Sequence, residues 1–489
     1  MYRSDKRNAA VPLHLHSEIQ IYVKISLGSC GSATTNIEVR HMQNVLSIIK
    51  KLALEHDKIS PELVRDKNIK LGLRNEDGTG VFVGITSKGQ VIGYKKEIHA
   101  DGTQKKVDLD GELYYCGYNI RDLVRHQQEE GRFGYEETAY LLLTGELPNK
   151  KHLDVFTGEL AQRRHLPEKA KAMILSSPSN GDQMGSLHTM VSAMHLFDGN
   201  PNSTDIKDLS RQCIDLIAKF PSIVAYNYRA STVRGKKLPE LIDPREDFSH
   251  AENFLYMLLG KKPDKLTANL FDMMLVLHAE HGGGNNSTFT VRTVSSSGAN
   301  SYMAICSGIA SLSGHLHGGA NEAVEGMMEN IKTQVKNWDD DDEVANYLGK
   351  ILDKKVNDKS GKIYGIGHAV YTKSDPRAVI LEKKAAAIAK KSGMEKEFEL
   401  LKRVARLAPG IVNKKKGKVA SANVDFYSGF VYRSMGIPKE LFTPIFAMSR
   451  VAGWSAHRIE EIIQGKLIRP SYYSSLPGLR KDYVPLASR

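Results

Sequence analysis

The chain has 489 residues, 41% hydrophobic and 25% charged, enough to bury a sizeable core and to build more than one domain. Its formal net charge is +12. The basic residues are scattered, with no aromatic RNP run and no zinc-finger spacing, so the excess reads as solubility or an anionic small-molecule partner rather than nucleic acid.

No apolar stretch approaches the roughly 18–20 residues that cross a bilayer. The N-terminus lacks the apolar core of a signal peptide. The four cysteines, Cys30, Cys116, Cys213 and Cys306, form no CxxC pair, which argues against a disulfide framework or a zinc ribbon. A cytoplasmic protein with no membrane partner is expected.

In chain order, HLHSEIQIYVKISL alternates like a strand and GSCGSATTN reads as loop. NVLSIIKKLALEH then puts Val45, Ile48, Ile49 and Leu52 on one helical face. RNEDGTGVFVGITSKGQVIGYKKE reads as a hairpin, two β-rich runs around Ser87, Lys88 and Gly89. From Ile120 onward the signal is helix after helix, most of them punctuated by Gly or Pro. YEETAYLLLTGELP opens with acids and stops at Gly145 and Pro148. MGSLHTMVSAMHLFD, SRQCIDLIAKF, AENFLYMLLGKKP and KLTANLFDMMLVLHAEH have the same character. The chain is helical again from Pro376 to Ala408, and a long helix runs from near Lys439 to Gly465. With no βαβ alternation, the expected fold is all-α with a minor N-terminal hairpin.

Four segments join ionisable residues to glycines at element ends: HAEHGGGNNS, HLHGGAN, YGIGHAVYTKSDPR and NVDFYSG. His278 and His281 lie one helical turn apart, but HExxH is absent and no acid or Cys cluster completes a metal site. GIGHAV lacks the third glycine of a dinucleotide loop and follows no strand. There is no GxSxG nucleophile elbow. A carboxylate, imidazoles and arginines near glycine turns suit proton abstraction beside a carbonyl, on a substrate that itself carries carboxylates.

Taken together, LHGGAN, GIGHAV with DPR nine residues on, NVDFYSG, an SR and an RP, in that order, resemble the citrate synthase family from about Lys70 to Pro470. The resemblance implies an all-α homodimer with a large domain (residues 42–314 and 431–489), a small domain (315–430) and an unplaced extension (1–41). It implies condensation of acetyl-CoA with oxaloacetate and water, without a cofactor or metal. The implied catalytic residues are His317, which stabilises the enol; Asp425, which takes the methyl proton; and His368, which assists at the oxaloacetate carbonyl. His281, Arg377 and Arg450 would bind oxaloacetate, and Arg469 would reach into the partner's site. Leu316, Gly365, Ile366, Gly367 and Asn423 would line the coenzyme A pocket, with Lys416 or Lys418 near its phosphates.

A neutral His317 is the better donor, and a helix opened by Gly318 and Gly319 would favour it, the same glycines leaving room for the thioester. Two departures from the family pattern stand out: Gly282 in place of an acid, and His315 before LHG. Rival readings are a 2-methylcitrate synthase using propionyl-CoA through the same residues, and a non-catalytic CoA-binding homologue.

Overall fold

The computed structural model describes residues 45–55, 57–98, 104–177, 181–232, 240–475 and 481–489. The strand and loop expected before residue 40, and Cys30, lie outside the described residues. The chain divides into two compact units, Met1–Val83 and Gly84–Arg489.

In the first unit, residues 45–55 form the expected helix. Its apolar face is exposed, with Val45, Ile48, Ile49 and Leu52 all open. A short helix, Pro61–Asp66, begins with Pro at its first position and is capped by Ser60, whose Oγ accepts from Leu63 N at 3.2 Å.

The second unit opens with the only sheet among the described residues, β1 (Gly89–Ile98), β2 (Gln104–Tyr115) and β3 (Tyr118–Asn119), antiparallel in that order. The hairpin is therefore one run later than the sequence reading put it. Residues 81–86 are not strand, and the partner of Gly89–Ile98 is QKKVDLDGELYY. That run is charged along its first half, and so it lacks the apolar alternation that marks a half-buried strand. Only its end is core, where Leu113 and Tyr115 are fully buried.

Sixteen α-helices follow among the described residues. Those used below are α1 (Ile120–Glu129), α2 (Tyr135–Thr144), α3 (Lys150–Gln162), α4 (Glu168–Ser176), α5 (Gln183–Ala193), α6 (Ile206–Thr232), α7 (His250–Leu259), α8 (Lys265–His278), α9 (Asn286–Ser296), α10 (Ser301–Ser313), α11 (Ala320–Gln334), α12 (Asp341–Leu352), α13 (Pro376–Ser392), α14 (Glu395–Lys416), α15 (Val424–Ser434) and α16 (Phe442–Gln464). Among the described residues, no helix is long and apolar enough to cross a membrane.

The boundaries follow local chemistry. Asn300, Asp264, Asp375 and Asn423 sit just before α10, α8, α13 and α15 and accept a backbone N–H of the first turn. Gly145, Gly260 and Gly465 close α2, α7 and α16 in the left-handed region. α6 runs on through Pro221, where SRQCIDLIAKF suggested a stop. Residues Phe220 to Ala225 are buried, so packing outweighs the roughly 3 kcal/mol that an interior proline costs a helix.

α16 is the axis of the core. Eighteen of its 23 residues are buried, so it is enclosed on nearly all sides rather than amphipathic. α2, α6, α8, α9 and α10 pack around it. Two further helices, α11 and α15, pack against each other, and α13 packs on α15. The chemistry-bearing segments lie at the ends of these helices.

Candidate active site

The hairpin holds one loop of the site. Gly93 of β1 and Gly111 of β2 face the backbone of Val370–Ser374 so closely that a Cβ at either position would overlap Val370 O or Ser374 O. Thr372 Oγ1 donates to Gly93 O (2.8 Å), and Gly111 N donates to Ser374 Oγ (3.1 Å). A second clamp lies just upstream. Gly367 N donates to Ser421 O (2.8 Å) and Asn423 N to Gly365 O (2.9 Å). Asn423 also donates through Nδ2 to Gly367 O (2.9 Å) while its Oδ1 caps α15 at Asp425 N (3.0 Å). Gly365 and Gly367 have φ of +74° and +104°, which a side chain would strain. So Gly365, Ile366, Gly367 and Asn423 form one locked unit beside Asp425.

His368 lies between the clamps. Its Nδ1 accepts from Val370 N (3.0 Å) and Tyr371 N (3.1 Å), which leaves the ring proton of the neutral imidazole on Nε2. The His368 ring stacks on Tyr371 (centroids 4.7 Å) and meets His281 edge to face (5.0 Å). His281 is buried, and its Nε2 has no hydrogen-bond partner among the described residues. Burial, and then the nearby Arg377, His368 and Arg450, hold it neutral, well below the usual histidine range.

Arg377 and Arg450 are both buried, and they differ. Arg377 Nε and Nη2 bind the buried Asp375 (3.1 and 2.8 Å). Burial would raise the Asp375 pKa, but the Arg377 guanidinium outweighs it and holds the carboxylate below its ordinary value. Asp375 also accepts Val424 N (3.1 Å), tying the arginine to the helix that carries Asp425. Arg450 Nε donates to His278 O (2.6 Å), while its Nη1 and Nη2 are buried and have no hydrogen-bond partner among the described residues. Burial pulls its pKa down to about 10. The Arg450 charge is felt at His281, His317, Arg377 and Asp425.

Asp425 is the second residue of α15. The protein packed around its carboxyl pushes its pKa up to about 6, against the pull of Arg377 and Arg450 and with Asp375 adding to the rise. A carboxylate with that pKa is ionised at neutral pH yet more basic than an ordinary one.

His317 sits in the turn between α10 and α11. Its Nε2 accepts from Ser287 N (3.3 Å) and lies 3.1 Å from Ser287 Oγ. Ser287 is the second residue of α9. A backbone N–H on Nε2 puts the proton of the neutral ring on Nδ1, which is then a donor. Burial, and then Arg450, push the His317 pKa down to about 4.

One sequence expectation changes here. α11 begins directly after Gly318 and Gly319, as expected, and the start of α9 also meets the ring, through Ser287 N. The glycine at 318 makes room for backbone rather than ligand: a Cβ there would overlap Leu312 O and press on Thr443, whose Oγ1 donates to Gly318 O at 3.0 Å. At 319 the near neighbour is the backbone of His315.

The remaining candidates are peripheral. Leu316 is 82% exposed beside His317. Lys416 donates to Gly361 O (2.7 Å), and Lys418 is exposed. Arg469 is exposed in the coil after α16, and among the described residues it makes no hydrogen bond or ion pair with the other candidates. His278, the other half of the HAEH pair, gives Nδ1 to Met274 O (2.7 Å) inside the core. No group of three or more His, Cys, Asp or Glu side chains is placed to hold a metal among the described residues.

Three residues that shape the site had no role in the sequence reading: Ser287, Asp375 and Tyr371. Each lies in a segment singled out above. Their roles depend on contacts from Ser287 to His317, from Asp375 to α15 and from Tyr371 to the imidazoles, which local spacing does not reveal.

A family model for the citrate synthase C-terminal domain matches residues 89–471. The chain is 37% identical over 384 residues to a citrate synthase of Haloferax volcanii, covering 78% of this chain and 93% of the relative. It is 33% identical over 379 residues to a 2-methylcitrate synthase of Shewanella oneidensis, covering 77% and 92%. A crystal structure of citrate synthase from Thermotoga maritima superimposes with a TM-score of 0.68 at 31% identity, covering 86% of this chain and 99% of that one. The fold and site define an acyl-transferring enzyme of the all-α type. The chain belongs to the citrate synthase family.

Proposed function

We propose that this enzyme condenses acetyl-CoA with oxaloacetate and water, giving citrate and free CoA, and that the residues around Arg450 perform the reaction. The observation that carries the reading is Arg450 itself. A fully buried guanidinium whose two terminal nitrogens make no hydrogen bond among the described residues is costly unless an anion comes to it. Arg377 and His281 flank it, so a dicarboxylate with a keto group suits the pocket.

A thioester methyl is a very weak carbon acid, and a carboxylate alone removes its proton poorly. Asp425 takes that proton while the Nδ1–H of His317 hydrogen-bonds the thioester oxygen, stabilising the enolate. The enolate carbon attacks the keto carbon of oxaloacetate, whose oxygen, hydrogen-bonded by His368 Nε2, takes up one proton, balanced by the one on Asp425, to become the hydroxyl of the citryl thioester. Water then cleaves the citryl thioester, releasing citrate and CoA. A neutral His317 suits this step because its pKa is far below that of an imidazole in water, so it gives a hydrogen bond without first being charged.

Leu316, the Gly365–Gly367 strip and Asn423 are assigned to the CoA side, with no cofactor or metal required. Residues 315–430 are assigned to a small domain that closes on the large one, excluding water from the enol. Arg469, exposed and separate from the other candidates, is assigned to the site of a second subunit in a homodimer.

Steady-state release of CoA thiol, with oxaloacetate and either acetyl-CoA or propionyl-CoA, tests the reading. A higher kcat/KM for acetyl-CoA is expected. A strong propionyl preference would move the assignment to 2-methylcitrate synthase, and no oxaloacetate-dependent release would overturn it.

A further inference from the structure

Asn321 is buried at 2% exposure, second in α11, and faces the first turn of α15. The Asp425 atoms nearest its amide, Oδ1 and the backbone O, only accept hydrogen bonds. The amide nitrogen therefore faces them: Nδ2 lies 2.9 Å from Asp425 Oδ1, 3.0 Å from Asp425 O and 2.8 Å from Ser428 Oγ. The opposite orientation would set an amide oxygen against both Asp425 oxygens. Among the described hydrogen bonds, this is the one donor to the Asp425 carboxylate. The other groups facing that carboxylate act at longer range: Arg377 and Asp375 at the start of α13, Arg450 of α16 and Tyr432 of α15.

We infer that Asn321 is a positioning residue for Asp425, fixing its carboxylate through Oδ1 and leaving Oδ2 to take the methyl proton. The inference rests on the reading of Asp425 as the base. The mechanism is simple: an N–H cannot accept a proton, so Oδ1, held by that donor, stays the acceptor. The acid formed by proton abstraction then carries its proton on Oδ2. A donor to the ionised form also favours ionisation, opposing the burial of the carboxyl.

Two variants test this. Asn321→Ala removes the donor, and Asn321→Asp, nearly the same size, sets a second carboxylate against Asp425. The acid limb of the kcat/KM profile for acetyl-CoA is expected to move to higher pH by about half a unit or more in Asn321→Ala and by more in Asn321→Asp. At neutral pH kcat is expected to fall by about tenfold or more in either. The kinetic isotope effect with methyl-deuterated acetyl-CoA should rise, because proton abstraction becomes more rate-limiting. Oxaloacetate affinity should hold, since Arg377, Arg450 and His281 are untouched. An unmoved acid limb and an unmoved isotope effect overturn the inference, as does a loss confined to oxaloacetate affinity. If Asn321→Ala does not fold, the near-isosteric Asn321→Asp decides alone. Asp425→Ala is run beside them. If it makes citrate undiminished, the reading of Asp425 fails. If it is inactive while both Asn321 variants keep the wild-type limb, the inference alone fails.

Discussion

Asp375→Asn is a sharp test of how the site is tied to the fold. Both carboxylate oxygens of Asp375 are in use. Oδ1 accepts Arg377 N and Nε, at 3.0 and 3.1 Å. Oδ2 accepts Arg377 Nη2 and Val424 N, at 2.8 and 3.1 Å. Asparagine keeps one oxygen and turns the other into an N–H that faces two donors. At least two hydrogen bonds to a charged group are lost, each worth about 1.5–3 kcal/mol. The Arg377 guanidinium is left buried without its counter-charge, which costs about 3–5 kcal/mol when one partner of a buried pair is removed. These counts overlap, so the expected loss of stability at pH 7 is about 3–5 kcal/mol.

The sign with pH is fixed by the depressed Asp375 pKa. The stabilisation is present above the ordinary carboxylate range and is lost as pH falls through the lower folded value. Wild type and variant should therefore converge in acid. Urea denaturation followed by circular dichroism across that range measures it, and the KM for oxaloacetate should rise because Arg377 is no longer held. A loss below about 1 kcal/mol at pH 7 would refute the reasoning, since a surface-like ion pair is worth no more than that.

Other expectations follow from the same geometry. Arg450→Met should abolish the thermal shift that oxaloacetate gives the wild type, yet leave the ligand-free protein about as stable, because it removes a buried guanidinium whose terminal nitrogens make no hydrogen bond among the described residues. Gly318→Ala should lower stability by about 1–3 kcal/mol and displace His317, as the new Cβ meets Leu312 O; calorimetry and kcat read the two effects. The kcat/KM profile for acetyl-CoA should fall as pH drops through about 6, the value to which burial raises Asp425. A limb near 4 would assign it to His317 instead.

Much of the helical fold was legible because its signals are local: acids and caps at helix starts, Gly145, Gly260 and Gly465 at helix ends, and apolar stripes between. β2 was not, because its outer half is charged and its apolar residues cluster at one end. In the site, His317, His368, Asp425, His281, Arg377 and Arg450 were legible as residue types in motifs. What orients them was not. The Ser287 amide on His317, the Asp375 bridge from Arg377 to α15 and the Asn321 amide on Asp425 join residues 30, 49 and 104 positions apart. Such pairings are set by how helices meet, and a single chain pattern does not specify them. The Ser287 amide at the start of α9 reaches His317 from a segment 30 residues away, beyond what the local turn at Gly318 and Gly319 reveals.

The proposed reaction depends on Asp425 as the base of a carbon-acid condensation. Citrate formed from acetyl-CoA and oxaloacetate, quantified by mass spectrometry for wild type and Asp425→Ala, tests it most directly. A fall of about a hundred- to ten-thousand-fold is expected in a variant that still binds oxaloacetate. Undiminished citrate formation by that variant would contradict it.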